Sequence, residues 1–326
     1  MRHVGVDVAA KTLQVAVDLG ETFWEAEFPN NASGHKKLIL ALAKHSPCRV
    51  VLEATSLYSL DPALALTAAG VHVMVANPRK VSAFARAVQR GKTDPMDARL
   101  LARFSTAFEF VAWTPPTQLA LELRQLTRRV LQLIGQTIAE KNRLGVLLST
   151  GTTSKFLIED VREHIAELEA RVAKLERQAL ELAAQDEADQ SKITHLTTVP
   201  GIAQRSAVRL VAELLFLPED MDTKQLVAYA GLDPRPWKSG TGVSKPPRIS
   251  KRGNIYVRTA LYMPALAAVR CDANVRAFQA GLVARGKKPK QAQVAVMRKL
   301  LHSAWAMLRS GQPWNPEKFH RSGVAA

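Results

Sequence analysis

The first part of the chain alternates apolar and polar positions with a period of two. His3 to Val8 and Thr12 to Leu19 read as strands, and Phe23 to Phe28 as a third, shorter one. Asn30 to Gly34 is turn chemistry, followed by a helix from about His35 to Lys44. Arg49 to Glu53 is a short buried strand with its acid at the C-terminal end. A helix from about Ser59 to Ala69, a strand from Val71 to Ala76 and a helix from Pro78 continue the pattern. Three early strands followed by helix and strand in alternation predict an α/β fold with a mixed sheet of RNase H type over residues 1–115.

The period then changes. Gln118 to Leu148 is one continuous helical pattern, broken by Gly151 to Ser154. Val161, Ile165, Leu168, Val172, Leu175, Ala179 and Leu182 follow in alternating steps of four and three. Residues 116–192 therefore read as long helices with a coiled-coil seam, which either a hairpin within the chain or a second copy would cover. Residues 193–326 read as a mostly helical domain, with helices from about Gln204 to Leu215, Ile255 to Val269 and Gln291 to Leu308.

Charge narrows the function. Lys and Arg number 45 against 29 acids, a formal net charge of +16, which implies a polyanionic partner, most simply nucleic acid. From Pro234 to Pro316 there are sixteen bases and one acid, Asp272; from Glu159 to Asp189 there are ten acids and four bases. Two cysteines, Cys48 and Cys271, are too few for a disulfide scaffold or a thiolate metal site. No apolar run of membrane-spanning length and no N-terminal apolar signal region is present, so the expected location is cytoplasmic, at the nucleoid.

The candidate chemistry begins with acids. Asp7 lies inside an apolar strand, where a carboxylate costs several kcal/mol unless paired or metal-bound. Glu53 ends another strand, where ligands of α/β sheets bind. In Lys92-Thr93-Asp94-Pro95-Met96-Asp97, Asp94 suits a helix N-cap before proline, and Asp97 falls in the first turn. Ordinary capping explains such a pair in isolation. Taken with Asp7 and Glu53, the four carboxylates define an oxygen-rich site suited to Mg²⁺. An actin-like ATPase also opens with a strand carrying G-x-D, but its glycine-rich phosphate loop is missing here.

In the C-terminal half, Thr198-Val-Pro-Gly201-Ile202 between two helical stretches resembles a helix-hairpin-helix element, whose turn offers backbone N–H groups to phosphate. A plain helical corner is the alternative. Two glycine-containing basic loops follow, with Arg235, Lys238 and Ser239-Gly240 in the first and Lys251-Arg252-Gly253 in the second. Glycine lets a backbone approach phosphate and the bases neutralise it. Ser239 is the best-placed hydroxyl for a nucleophile. From spacing alone it reads as a solvated turn serine, and Ser244 and Ser250 compete. Lys287, Lys288 and Lys290 form a further basic patch for backbone contact, or else a solvated loop.

Together these stretches resemble the DEDD transposases of the bridge-RNA-guided insertion-sequence recombinases. The resemblance rests on G-V-D, L-E-A-T-S-x-Y, N-P-x-K-V-x-A-F-A-R, K-T-D-x-x-D-A-R, V-P-G-I, A-x-A-G-L-x-P-R, the S-G loop, I-S-K-R-G and L-Y-M-P-A. It implies a RuvC-like N-terminal domain whose acidic tetrad falls on Asp7, Glu53, Asp94 and Asp97, and a C-terminal domain whose nucleophile falls on Ser239. It further implies Mg²⁺, a 5′-phosphoserine intermediate, donor and target DNA, and a structured non-coding guide RNA. A dimer or tetramer with composite active sites is part of the same expectation. The competing readings are a Holliday-junction-type metal-dependent endonuclease and a non-enzymatic helix-hairpin-helix DNA-binding protein.

Overall fold

The computed structural model describes residues 1–53, 57–88, 94–218, 221–239 and 243–319. The chain divides into two compact units, Met1–Pro115 and Pro116–Ala326.

The first unit is built on five strands: β1 (Arg2–Val8), β2 (Thr12–Asp18), β3 (Phe23–Pro29), β4 (Cys48–Glu53) and β5 (His72–Ala76). Their order is β3-β2-β1-β4-β5, with β2 antiparallel to both β1 and β3, and β4 and β5 parallel to β1. The sheet is mixed because β1 to β3 are joined by tight turns, whereas β4 and β5 are each reached through a helix. Those helices, α1 (Ala32–Ala43) and α2 (Leu60–Ala68), are followed by α3 (Pro78–Val88) and α4 (Asp94–Ala107). Asn31 caps α1 by accepting from the Gly34 N–H at 2.9 Å.

Helices cover both faces. Val4, Val6, Val50 and Leu52 pack with Leu38 and Leu42 of α1 and Ala63 and Leu66 of α2. On the other face Val51 and Ala76 pack with Val81 of α3 and with Leu100, Leu101 and Phe104 of α4. This explains why β1 and β4 carry apolar residues at consecutive positions rather than in strict alternation.

The second unit is almost entirely helical. Helices α5 (Gln118–Leu148) and α6 (Lys155–Ala183) form an antiparallel hairpin. The α6 seam lies against the same chain: Val161, Ile165, Leu168, Ala179 and Leu182 are buried, and Val172 and Leu175 half-buried. Then come α7 (Glu187–Thr197), α8 (Gln204–Leu214) and α9 (Thr223–Ala230), a two-stranded ribbon of β6 (Pro234–Ser239) and β7 (Val243–Ile249), and α10 (Ile255–Cys271). Helices α11 (Ala273–Ala284), α12 (Pro289–Ser310) and α13 (Pro316–Phe319) close the unit. One core joins Leu123 of α5 and Ala183 of α6 to Val211, Leu261, Leu300 and Trp305. Helix α8 is central, buried at every position from Ala207 to Leu214 except Arg209.

The ribbon departs from the sequence expectation that Arg235 to Ser239 form a glycine loop, whereas Lys251 to Gly253 do lie outside regular structure. Pro236, Pro246 and Pro247 argue against strands, since proline cannot donate to a ladder. The structure places all three where the ladder is irregular, between the Arg235–Arg248 and Trp237–Lys245 pairs. A bulge accommodates them. Helices α9 and α11 were also not anticipated. Among the described residues no helix is long and apolar enough to cross a membrane.

Candidate functional site

The acids of the first unit are organised by strand register. The β1–β4 pairing runs to Val6–Leu52, so Asp7 and Glu53 are the next positions on neighbouring strands and share one face. Asp7 also pairs with Gln14, Gln14 with Glu27, and Glu53 with Ala76. One transverse row therefore reads Glu27, Gln14, Asp7, Glu53, Ala76. The Gln14 amide donates to the Glu27 carboxylate within it. Asp7 and Glu53 are half-buried.

Helix α4 lies on this same face. A Cβ on Gly5 would sit 1.9 Å from the Ala98 carbonyl oxygen and 2.5 Å from the Ala102 nitrogen, so only glycine admits the helix at this point of β1. His3, two residues earlier on the same face, pairs through Nδ1 with the Ser105 hydroxyl. Moving along β1 from His3 to Gly5 thus moves backward along α4, from Ser105 to Ala98. Asp7 is the next residue on this face of β1, and Asp94 and Asp97 lie in the first turn of α4; Asp7, Glu53 and Asp97 do not come close enough together to form a three-carboxylate metal site. On the flank, Arg99 of α4 donates to Glu25 of β3, through Nε at 2.8 Å, and stacks over the Phe23 ring. That hydrogen bond from Arg99 holds the Glu25 carboxyl below its ordinary range. Burial, reinforced by Arg49, pushes the His3 imidazole below its ordinary value.

Asp97 is half-buried. The side chain of Asp94 lies outside those described. Among the described residues no three His, Cys, Asp or Glu side chains gather closely enough to hold a metal ion. Two carboxylates on adjacent strands nevertheless suit a hard divalent cation, because Mg²⁺ is characteristically held by one or two carboxylates with waters and phosphate oxygens.

In the second unit Ser239 is the last residue of β6 and pairs with Val243 across the end of the ribbon; the side chains of Lys238 and Ser239 lie outside those described, as do residues 240–242. The root of the ribbon is closely tied. The Ser250 hydroxyl bonds the Asp233 carboxylate, the Ser250 N–H donates to the Asp233 carbonyl at 2.9 Å, and the Lys251 N–H donates to the Gly231 carbonyl at 3.0 Å. Lys251 adopts φ 52°, and a Cβ on Gly253 would sit 2.0 Å from the Tyr229 carbonyl oxygen. Ser250 is thereby engaged at the root. Ser244 lies opposite Lys238 on β7.

Beneath the root is an acid that sequence reasoning missed. Glu213 of α8, 1% exposed, accepts from Arg128 Nε at 2.6 Å and Nη2 at 2.9 Å and lies 3.4 Å from Arg124 Nε. The Asn254 side-chain amide donates to Glu213 at 2.7 Å and to the Tyr229 hydroxyl at 2.7 Å. Burial lowers the Arg124 pKa against the pull of Glu213, and burial also raises the Tyr229 phenol. For Arg128 burial opposes the charged form, but the bidentate bond with Glu213 outweighs it and the pKa rises. The two arginines shift oppositely because Arg124 is the more deeply buried and only Arg128 makes a bidentate bond to the carboxylate. The available signal was an acid within the apolar stretch Leu210-Val-Ala-Glu-Leu-Leu-Phe216.

The basic candidates are spread over this unit. Arg235, Lys251, Arg252, Lys287, Lys288 and Lys290 are exposed. Arg235 pairs across the ribbon with Arg248, also exposed and not anticipated. Lys288 is the N-cap of α12, with Lys290 in its first turn. Gly201, at φ +92°, is half-buried, and a Cβ there would come within 2.7 Å of the Pro264 carbonyl oxygen of α10. Its glycine is required by the turn and by the approach of α10.

Two family models match this chain. One, described as "Transposase", covers residues 4–151, and the other, "Transposase IS116/IS110/IS902 family", covers residues 193–280. The arrangement is thus that of a DNA-recombining enzyme of the transposase class. The chain belongs to the IS110/IS116 family of transposases. Among similar proteins, a "Pilin gene-inverting protein" of Moraxella bovis is 28% identical over 96% of this chain and 97% of its own length. A protein of the same description from Moraxella lacunata is 28% identical over the same shares. A "Probable family 20 transposase" of Pseudomonas aeruginosa is 34% identical over 49% of this chain and 47% of its own length.

Proposed function

We propose that this transposase is an RNA-guided DNA recombinase that cuts and rejoins DNA through a 5′-phosphoserine link made by Ser239, with Mg²⁺ held by Asp7, Glu53, Asp94 and Asp97. The observation that carries the reading is the register that sets Asp7 beside Glu53 on the face of the sheet covered by α4, the helix whose first turn carries Asp94 and Asp97. The strand order β3-β2-β1-β4-β5, with β2 antiparallel to its neighbours β1 and β3 and with β4 and β5 parallel to β1, supports a RuvC-like domain.

In this mechanism the Ser239 oxygen attacks phosphorus and the P–O3′ bond breaks. The hydroxyl proton ends on the departing 3′ oxygen. The phosphodiester is conserved as a serine ester, so resealing needs no nucleotide cofactor. A divalent ion, when bound, supplies polarisation of the phosphate and offsets charge on its oxygens. The strand positions of Asp7 and Glu53 fix two of its ligands on a rigid sheet, better than loops would.

Exposed bases support the nucleic-acid part of the reading. Arg235 and Arg248 face each other across a ribbon, where like charges repel unless an anion joins them. Lys288 and Lys290 crowd the electropositive start of α12, an arrangement that a phosphate relieves. Guide RNA rests on the family resemblance alone.

The test is incubation of the full chain with co-expressed flanking RNA, donor DNA and target DNA, followed by denaturing electrophoresis. A covalent protein–DNA adduct is expected, absent from Ser239→Ala although that variant still binds DNA. Asp97→Asn is expected to lose cleavage with its unfolding midpoint little changed. Free 5′ phosphates without adduct would instead identify a metal-dependent endonuclease. Adduct formed without the RNA would remove guidance from the reading.

A further inference from the structure

The β6–β7 ribbon carries Ser239 at its far end, and Ile249 at its root packs against the helical core. Six residues from Pro234 to Ser239, at about 3.3 Å each, put the hydroxyl-bearing residue roughly 17 Å from that root. A tilt of about 5° at the root moves such a tip by about 1.5 Å, and displacements near 1 Å cost on the order of a hundredfold in rate. The direction of the ribbon therefore depends on whatever fixes the residues entering β6 and leaving β7.

Asn254 stands at that place. Its Oδ1 accepts from the Tyr256 N–H at 2.8 Å and the Val257 N–H at 3.3 Å, capping α10. Its Nδ2 donates downward to Glu213 of α8 and sideways to the hydroxyl of Tyr229, near the end of α9. Its backbone N–H donates to the Tyr229 carbonyl. Arg128 and Arg124 of α5 hold Glu213 from the other side. One amide thus joins the segment after β7 to α8, α9 and α10, and through Glu213 to α5. A plain helix cap needs only the Oδ1 contacts; the two donor bonds are surplus to capping.

We propose that Asn254 is a positioning residue for the recombination reaction: by tying the exit of the ribbon to the buried Glu213–Arg128–Arg124 cluster, it sets the direction in which Ser239 is presented. This rests on Ser239 being the nucleophile. Glu213 is the anchor, since the bidentate bond from Arg128, with Arg124 alongside, fixes the orientation of its buried carboxylate.

The test uses Asn254→Ser, which keeps an N-cap oxygen and removes both donor bonds, and Tyr229→Phe, which removes one hydroxyl partner. Adduct formation by the full chain is followed in a single turnover on a supercoiled plasmid carrying the gene with its native flanks, with flanking RNA co-expressed. Amide exchange over residues 234–239 and 243–249 is measured in parallel. Asn254→Ser is expected to lower the rate constant about 10- to 100-fold, with adduct amplitude and half-saturating DNA unchanged and exchange in the ribbon accelerated. Tyr229→Phe is expected to act in the same direction and less. A merely structural Asn254 would lower amplitude and melting temperature with the rate constant intact, and that result overturns the proposal. Unchanged rates and exchange in both variants also overturn it, while a Ser239-dependent adduct in the native chain leaves the recombinase reading standing. Adduct that survives Ser239→Ala removes the recombinase reading and this inference together.

Discussion

Gly5 shows how one residue without a side chain sets the geometry of a site. Any Cβ there collides with the α4 backbone, so the helix would have to lift from β1. Gly5→Ala is expected to destabilise the first unit by at least about 2 kcal/mol, read from urea unfolding, and to lower cleavage beyond the loss of folded protein. His3, two residues away, gives a pH signature. Its folded pKa lies below the unfolded value of 6.5, so the unfolded chain binds the extra proton first. The stability that neutral His3 contributes is fully present above about pH 6.5 and declines as the pH falls from there toward the folded pKa. His3→Gln is expected to flatten the fall in melting temperature between pH 7 and 5 (roughly the histidine titration range), with the native chain as control.

At the scale of elements, the α5–α6 hairpin and α8 hold the second unit together. Leu168 is 3% exposed within the α6 seam, and Leu168→Ala is expected to cost about 2–4 kcal/mol in denaturant unfolding. Elements of this kind were legible in the sequence because their apolar period is long and regular. The five strands were legible too, each within a residue or two of its observed ends, since alternation and turn residues bracket them. The ribbon was not legible, because its prolines contradict strand chemistry and only a bulge reconciles them. Helices α9 and α11 are short, and their apolar positions are dictated by the packing of α10 and α12 rather than by a repeating stripe. Asp7 and Glu53 were legible as candidate acids on strands; their register was not, because it depends on the parallel pairing of β1 with β4, which no local pattern encodes. Glu213 stayed hidden for the same reason: its arginine partners lie 85 and more residues away.

For the whole molecule the dominant quantity is charge. A net +16 implies binding to polyanions that weakens steeply with salt. Replacing Lys287, Lys288 and Lys290 by Gln is expected to weaken duplex binding and to reduce the magnitude of the log–log salt slope by about 2–3, if each contacts one phosphate. A slope that does not change would place DNA elsewhere on the molecule.

The prolines of the ribbon carry one more consequence. Pro246 and Pro247 remove two consecutive backbone donors from β7 at its bulge. A further strand adding to β7 would find its run of N–H groups broken there, which blunts that edge as a template for pairing between copies.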